Sequence, residues 1–193
     1  MSFNNQTMEP RADDEELMTR AAAGDSDAFA QLYHRHKEGL IAFCYRMLRN
    51  WEDAGDVFQE AFRYLHTHAA RYRPTARFTT YLYHVARNMC IDILRRRKRW
   101  NLQQLDATAD LLPDGGPAES PRLELEEVEA HLRKALEEVP PPYREVLHLR
   151  VVERLGYDEI AQILECPVGT VKSRLHVGLA TLRTILKRKK IVE

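Results

Sequence analysis

The sequence predicts an all-α protein, made of two small helical domains joined by a flexible linker, the second containing a helix-turn-helix. Three observations carry that expectation. Apolar residues recur at steps of three and four in every strongly periodic segment, and no strand-like alternation interrupts them. Between the two periodic halves, Leu112-Pro113-Asp114-Gly115-Gly116-Pro117 cannot continue a helix. Near the carboxy terminus, two short apolar stripes flank Glu165-Cys166-Pro167, the spacing of two helices meeting at a tight turn.

Taken in order, Asp13 and Asp14 can cap a short helix that ends at Gly24. A second helix runs from about Ser26 to Asn50, with Phe29, Leu32, Tyr33, Leu40, Phe43, Cys44 and Met47 on one face. A third starts near Glu52 and carries Val57, Phe58, Ala61, Phe62 and Leu65. After Arg73-Pro74-Thr75 a fourth runs from about Phe78 through Leu82, Val85, Met89 and Ile93 into the basic run Arg95 to Arg99. Four helices of this kind make one small bundle. The segments are then 1–24, a short helical lead; 25–100, the first domain; 101–122, an acidic flexible linker; and 123–193, the second domain. In the second domain one helix ends before Pro140-Pro141-Pro142 and another holds Val146, Leu147 and Leu149.

The helix-turn-helix completes the chain. Ile160, Ala161 and Leu164 form the stripe of its first helix, and Val171, Leu175, Leu179 and Leu182 that of its second. Pro167 interrupts the pattern and Gly169 permits a tight start. Thr170, Lys172, Ser173, Arg174, His176 and Val177 are left facing outward on the early turns of the second helix. Polar and basic side chains in that place are what readout of base edges in a major groove requires.

Charge is distributed to match. The formal net charge is zero, yet Arg71 to Arg99 holds about nine basic residues against Asp92 alone, and Cys166 to Val192 about seven with no acidic residue. Asn101 to Pro140 reverses the sign, with roughly ten acidic residues against three basic. No stretch is apolar enough to span a membrane, and Met1 to Arg11 has no apolar core of a secretory signal, so a cytoplasmic protein is expected. Cys44, Cys90 and Cys166 are too scattered for a disulfide framework or a zinc motif, and no metal or other cofactor is expected. With no Gly-rich phosphate loop, Ser-His-Asp order or acidic metal cluster, the chain does not read as an enzyme.

The run Asp53-Ala54-Gly55-Asp56-Val57-Phe58-Gln59-Glu60-Ala61-Phe62 is followed by Phe78-Thr79-Thr80-Tyr81-Leu82-Tyr83-His84-Val85-Ala86-Arg87-Asn88 and a basic tail. This resembles the second conserved region of bacterial sigma factors. Pro141-Pro142-Tyr143-Arg144-Glu145-Val146 and Tyr157 to Arg183 resemble their fourth region. With these two regions and a short linker, the chain is similar to the extracytoplasmic-function class over most of residues 25 to 190.

The resemblance implies that the first domain docks on the clamp helices of the largest subunit of core RNA polymerase and melts the promoter minus-10 element. The second domain then reads the minus-35 element. Asp53, Asp56, Gln59 and Glu60 share one helix face suited to a basic partner surface. Arg73, Arg77, Tyr81, Arg87 and Asn88, with Arg95 and Arg96 beyond them, offer cations and an aromatic face for an unpaired strand. Phe78 and Leu82 are expected inside. Tyr81 stands where the family commonly has Trp, and Val177 where a basic residue is common, followed by Gly178 rather than Ala. Such factors are usually held by an anti-sigma protein, and nothing in the sequence identifies one. Two other classes remain: a conventional operator-binding regulator, or a metal or redox sensor using His66, His68 and His84 with Cys44 or Cys90.

Overall fold

The computed structural model describes residues 13–69, 72, 77–104, 132 and 134–189. Helix α1 (Asp14–Ala22) is capped by Asp13, whose side chain accepts from the Glu16 amide at 2.7 Å. Leu17 and Met18 seat it on the bundle. Asp14 fastens it to the next helix, meeting Arg35 at 2.5 Å and His36 at 2.8 Å. Helix α2 (Ser26–Leu48) starts at Asp25, which accepts from the amides of Asp27 and Ala28. It ends at Arg49 in the left-handed region, φ 56°. Helix α3 (Trp51–His68) follows at once, with Asn50 accepting from the Asp53 amide at 2.9 Å.

Helix α4 (Phe78–Gln104) extends beyond position 100, where the linker is expected to begin; residues 105–122 of that expected linker lie outside the described residues. Phe78, Leu82, Tyr83, Ala86 and Cys90 are buried, so α4 is core-facing for its first half and solvated through its basic tail. In the second half, a helical stretch over 134–138 precedes α5 (Pro141–Leu147), which opens on Pro141 with its fixed φ. A π-helical turn, His148–Val152, leads to α6 (Tyr157–Leu164) and α7 (Val168–Arg188). No strand occurs among the described residues.

The two halves do not stand apart. One apolar core runs from Leu17 and Leu32 through Phe43, Phe58 and Leu82 to Val146, Leu149, Leu155, Ile160, Ile163 and Val171. A smaller cluster of Ala135, Val139, Leu147 and Ile185 serves the second half alone. Arg144 joins the halves from inside: its guanidinium donates to the carbonyls of Leu136, Glu137 and Val139, closing the 134–138 turn, and to Arg46 of α2 at 2.8 Å. Burial, with Arg49 close by, pulls its pKa down to about 10.

Gly39 of α2 permits a second close approach. A Cβ there would stand 2.9 Å from Glu153 Oε1 and 3.0 Å from the Tyr83 hydroxyl. Glu153 in turn lies 3.2 Å from Nε2 of the buried His148, a close electrostatic contact rather than an aligned hydrogen bond. Tyr83, Glu153 and His148 therefore meet where α2, α4 and the π-helical turn converge.

Candidate polymerase and DNA interfaces

Three surfaces collect the residues singled out in the sequence. The first is α3. Its periodicity buries Val57, Phe58, Ala61, Phe62 and Leu65, which leaves Asp56, Gln59 and Glu60 exposed on the opposite side and Asp53 half-buried. Asp53 is ion-paired with Arg97 of α4, which also donates to the Leu48 carbonyl at 3.0 Å. Glu60 is ion-paired with Arg63, whose guanidinium holds the Glu60 carboxyl below the ordinary range. Asp56 has no ion pair among the described residues, so it is the carboxylate of this face open to a cationic partner. Phe29, Tyr33, Asp56, Gln59, Glu60 and His66 line a shallow groove beside it.

The second surface runs along α4 from the residue before it to its basic tail. Arg77, Thr80, His84 and Arg87 recur at steps of three and four and face the second half, with Tyr81 and Asn88 beside them. Tyr81 is half-buried near Tyr72, and burial, with Tyr64 beside it, pushes its hydroxyl pKa up. Tyr83, its neighbour in the aromatic run, is fully buried against Phe43 at 5.1 Å between ring centroids. Arg95 and Arg96 are exposed, Arg95 lying 3.5 Å from Asp92, and together with Lys98 and Arg99 they border an open groove. Arg73 lies outside the described residues.

Acidic residues of the second half sit on this face, and sequence reasoning missed them. Arg77 reaches Glu159 at 3.4 Å, and Thr80 donates to the same carboxylate at 3.5 Å. His84 Nε2 lies 2.9 Å from Glu165, with the Asn88 amide nitrogen 3.3 Å from the same ring nitrogen. Arg87 meets Glu145 at 3.4 Å. Burial raises the Glu145 pKa even with Arg87 and Arg174 near it, whereas the His84 hydrogen bond lowers that of Glu165. No local signal could have found these pairs, since partners are 58 to 82 positions apart.

The third surface is the helix-turn-helix. The Glu159 side chain accepts from the Gly156 amide at 2.7 Å and so caps α6. The turn places its positive φ on Glu165 (50°), not on Gly169, and Pro167 enters α7 extended. Lys172, Ser173, His176 and Val177 are exposed; Thr170 and Arg174 are half-buried. Lys172 Nζ lies 5.6 Å from the Tyr157 ring centroid, and the Arg150 guanidinium lies 5.0 Å from the same centroid. The buried stripe runs Val171, Leu175, Gly178, Leu182 and Ile185. Leu179, expected in it, is 49% exposed, because the inward place one turn before Leu182 falls on Gly178. A Cβ on Gly178 would stand 3.2 Å from the Cβ of Tyr143, so only a very small residue lets α5 approach that closely.

The histidines do not converge. His66 packs edge-on to Phe29, His68 turns to the Tyr64 carbonyl, and His84 holds Glu165. Among the described residues no group of three His, Cys, Asp or Glu side chains could hold a metal, and Cys44 and Cys90 are buried. No described helix is long and apolar enough to cross a membrane.

Family models match in two places: sigma-70 region 2 over residues 32–100 and sigma-70 region 4 over residues 130–182. The chain is 34% identical over 172 residues to the ECF RNA polymerase sigma factor SigW of Bacillus subtilis, covering 85% of this chain and 91% of that protein. It is 32% identical over 170 residues to the RNA polymerase sigma-H factor of Pseudomonas aeruginosa, covering 84% and 88%. In fold it is similar to the sigma factor RpoE of Bartonella quintana, solved with the anti-sigma factor NepR, with a TM-score of 0.68, 24% identity, and coverage of 82% and 96%. Two sigma-70 regions in this order, and similarity over nearly the whole length of such relatives, make the chain a sigma factor for transcription initiation, a member of the extracytoplasmic-function group of the sigma-70 family.

Proposed function

We propose that this sigma factor docks on core RNA polymerase through α3, grips the melted minus-10 strand along α4, and reads the minus-35 duplex with α7. The observation that carries the reading is the exposure of Lys172, Ser173 and His176 on the first turns of α7, packed by Val171 onto a preceding helix. Lys172, Ser173, Arg174 and His176 supply hydrogen-bonding groups to base edges and phosphates, Thr170 sits at the helix start, and Val177 offers an apolar contact to a thymine methyl.

Along α4, Arg77, Arg87, Arg95 and Arg96 supply cations to the strand backbone, and Tyr81 and Asn88 a stacking face and an amide. Arg73 belongs to the same grip. On α3, Asp56 and Gln59 meet the clamp helices directly, while Asp53 and Glu60 do so in exchange for Arg97 and Arg63. An anti-sigma protein is the expected holding partner, as for RpoE of Bartonella quintana. The chemistry of RNA synthesis stays with the polymerase, so the chain works in the cytoplasm as a specificity subunit rather than as an enzyme.

Run-off transcription with core polymerase on the promoter of the chain's own operon tests the reading. Transcript should require both proteins. Duplex binding of equal strength and specificity without polymerase, and no transcript with it, would instead make the chain a conventional operator-binding regulator.

A further inference from the structure

A cavity of about 310 Å³ opens where the end of α2, the start of α3 and the 134–138 stretch meet. Small-molecule sites run from roughly 300 to 1,000 Å³, so it has room for one compact ligand. It shares no residue with the polymerase and DNA surfaces assigned above.

One wall of the cavity is aromatic. Tyr45, in the last turn of α2, and Trp51, at the first position of α3, stack with ring centroids 4.0 Å apart and planes 12° from parallel. Trp51 is still 38% exposed, which leaves indole surface at the cavity for another planar group. Ala42 and Leu136 keep the space beside the rings apolar.

The other wall is cationic. Arg46, Arg49 and Arg144 reach the cavity, and against them stands the Glu137 carboxylate, 3.4 Å from Arg49 Nη1. Three positive charges against one negative leave two uncompensated. The bonds of Arg144 go to carbonyls, which satisfy its donors and leave its charge in place. After burial, the crowding of Arg49 and Arg46 is what pulls its pKa down. Arg49 is there against its backbone preference, since it ends α2 in the left-handed region, φ 56°. Glycine would make the same cap with ease, so what arginine adds is a guanidinium at the cavity.

A ligand that suits both walls carries a flat ring and a doubly charged anion. A phosphate monoester bears about −1.5 to −2 at pH 7 and offers three acceptor oxygens to forked guanidinium donors. A nucleic-acid base stacks on an aromatic face whatever its sequence identity. We propose that this cavity is a binding site for a nucleoside monophosphate, its base against Trp51 and its phosphate among Arg46, Arg49 and Arg144. Residues of both halves form the site, so a bound nucleotide stabilises the native arrangement and raises the unfolding temperature.

The test uses the full-length chain and three probes in isothermal titration calorimetry: AMP, adenosine and inorganic phosphate. AMP should bind at least about tenfold more tightly than either fragment, because it alone engages both walls. In a Trp100→Phe background Trp51 is the one remaining tryptophan, and AMP should quench its fluorescence saturably at the calorimetric affinity. Arg49→Gly keeps the α2 cap and should weaken AMP binding about tenfold, and Trp51→Ala should weaken it by a similar factor. Glu137→Gln removes the competing carboxylate but keeps the main-chain carbonyl that Arg49 and Arg144 use. It should tighten AMP binding about two- to fivefold, a gain that a purely structural role for Glu137 would not produce.

Adenosine or phosphate binding as tightly as AMP overturns the proposal, since one wall then suffices. So does an absence of saturable AMP binding up to millimolar concentration, or an affinity that Arg49→Gly and Glu137→Gln leave unmoved. Should Trp51→Ala not fold, those two variants carry the decision alone, because both side chains are partly exposed, 40% and 38%, and outside the apolar clusters.

Discussion

Arg87 of α4 and Glu145 of α5 form an ion pair across the two halves of the molecule, with both side chains largely sheltered from solvent, 14% and 16% exposed. A pair in that position gains little over well-packed apolar groups, but breaking it from one side strands a charge. Glu145→Leu alone should lower the stability of the chain by about 2 kcal/mol, and adding Arg87→Leu should recover most of the loss. Urea unfolding of the four members of this cycle measures the coupling. Additive losses would mean that the two groups do not stabilise one another.

On α3 the neighbours decide which carboxylate to change. Asp53 and Glu60 already have arginine partners, whereas Asp56 is exposed and faces the groove bordered by Tyr33 and His66. Asp56→Arg should weaken binding to core polymerase by roughly tenfold or more, the equivalent of about 1.4 kcal/mol, with the thermal unfolding curve unchanged. Wild-type affinity in the folded variant removes this face from the docking surface.

For the minus-35 element, Lys172→Ala should lower transcription from the cognate promoter by the equivalent of about 1 to 3 kcal/mol if the ammonium reads a base. Val177 is 39% exposed one residue beyond His176, so Val177→Arg adds a cation at the groove and should raise affinity while shifting sequence preference. Selection over randomised minus-35 sequences is the measurement. An identical motif and equal affinity for wild type and Val177→Arg would turn position 177 away from the DNA.

His148 gives the fold a pH dependence near neutrality. Burial lowers its pKa, with Arg46 acting in the same direction and Glu153 against it. Tyr83 and His36 face Glu153 from α4 and α2. The unfolded imidazole takes a proton near its ordinary 6.5, and the folded one only at lower pH. The stability that depends on a neutral His148 is therefore complete above pH 6.5 and declines as pH falls below it, by at most about 1.4 kcal/mol per pH unit. His148→Leu should flatten the stability curve just below pH 6.5. Parallel curves for the two proteins would show that His148 does not set the slope.

Helices were legible because each buries one stripe, and the stripe is written in local spacing. Val57, Phe58, Ala61, Phe62 and Leu65 were all read as inward from sequence and are all buried. Reading weakens where one residue decides a phase: spacing puts Leu179 in the stripe where the fold puts Gly178, and nothing local marks Glu165 for the left-handed backbone of the turn. Site residues on α3 and α7 were found through charge on the face opposite a stripe. Glu145, Glu159 and Glu165 were not, because their meaning lies in α4, and spacing along the chain carries nothing about a surface that arrives from elsewhere. The same applies to Arg144, which reads as one more surface cation and is buried among carbonyls.

The π-helical turn His148–Val152 is wider than an α-helical one by a residue. Winding the same five residues as an ordinary α-helix, with none deleted, would rotate everything after them by about 100° and push it out by about 1.5 Å. Leu155 would leave the shared core, and Glu159 would swing off Arg77 and Thr80 together. The helix-turn-helix itself would be untouched, since its two helices move as one piece. The width of this one turn thus sets the angle at which the helix-turn-helix is presented, and a substitution that closes it to an α-helical turn is a mutation of posture rather than of sequence recognition.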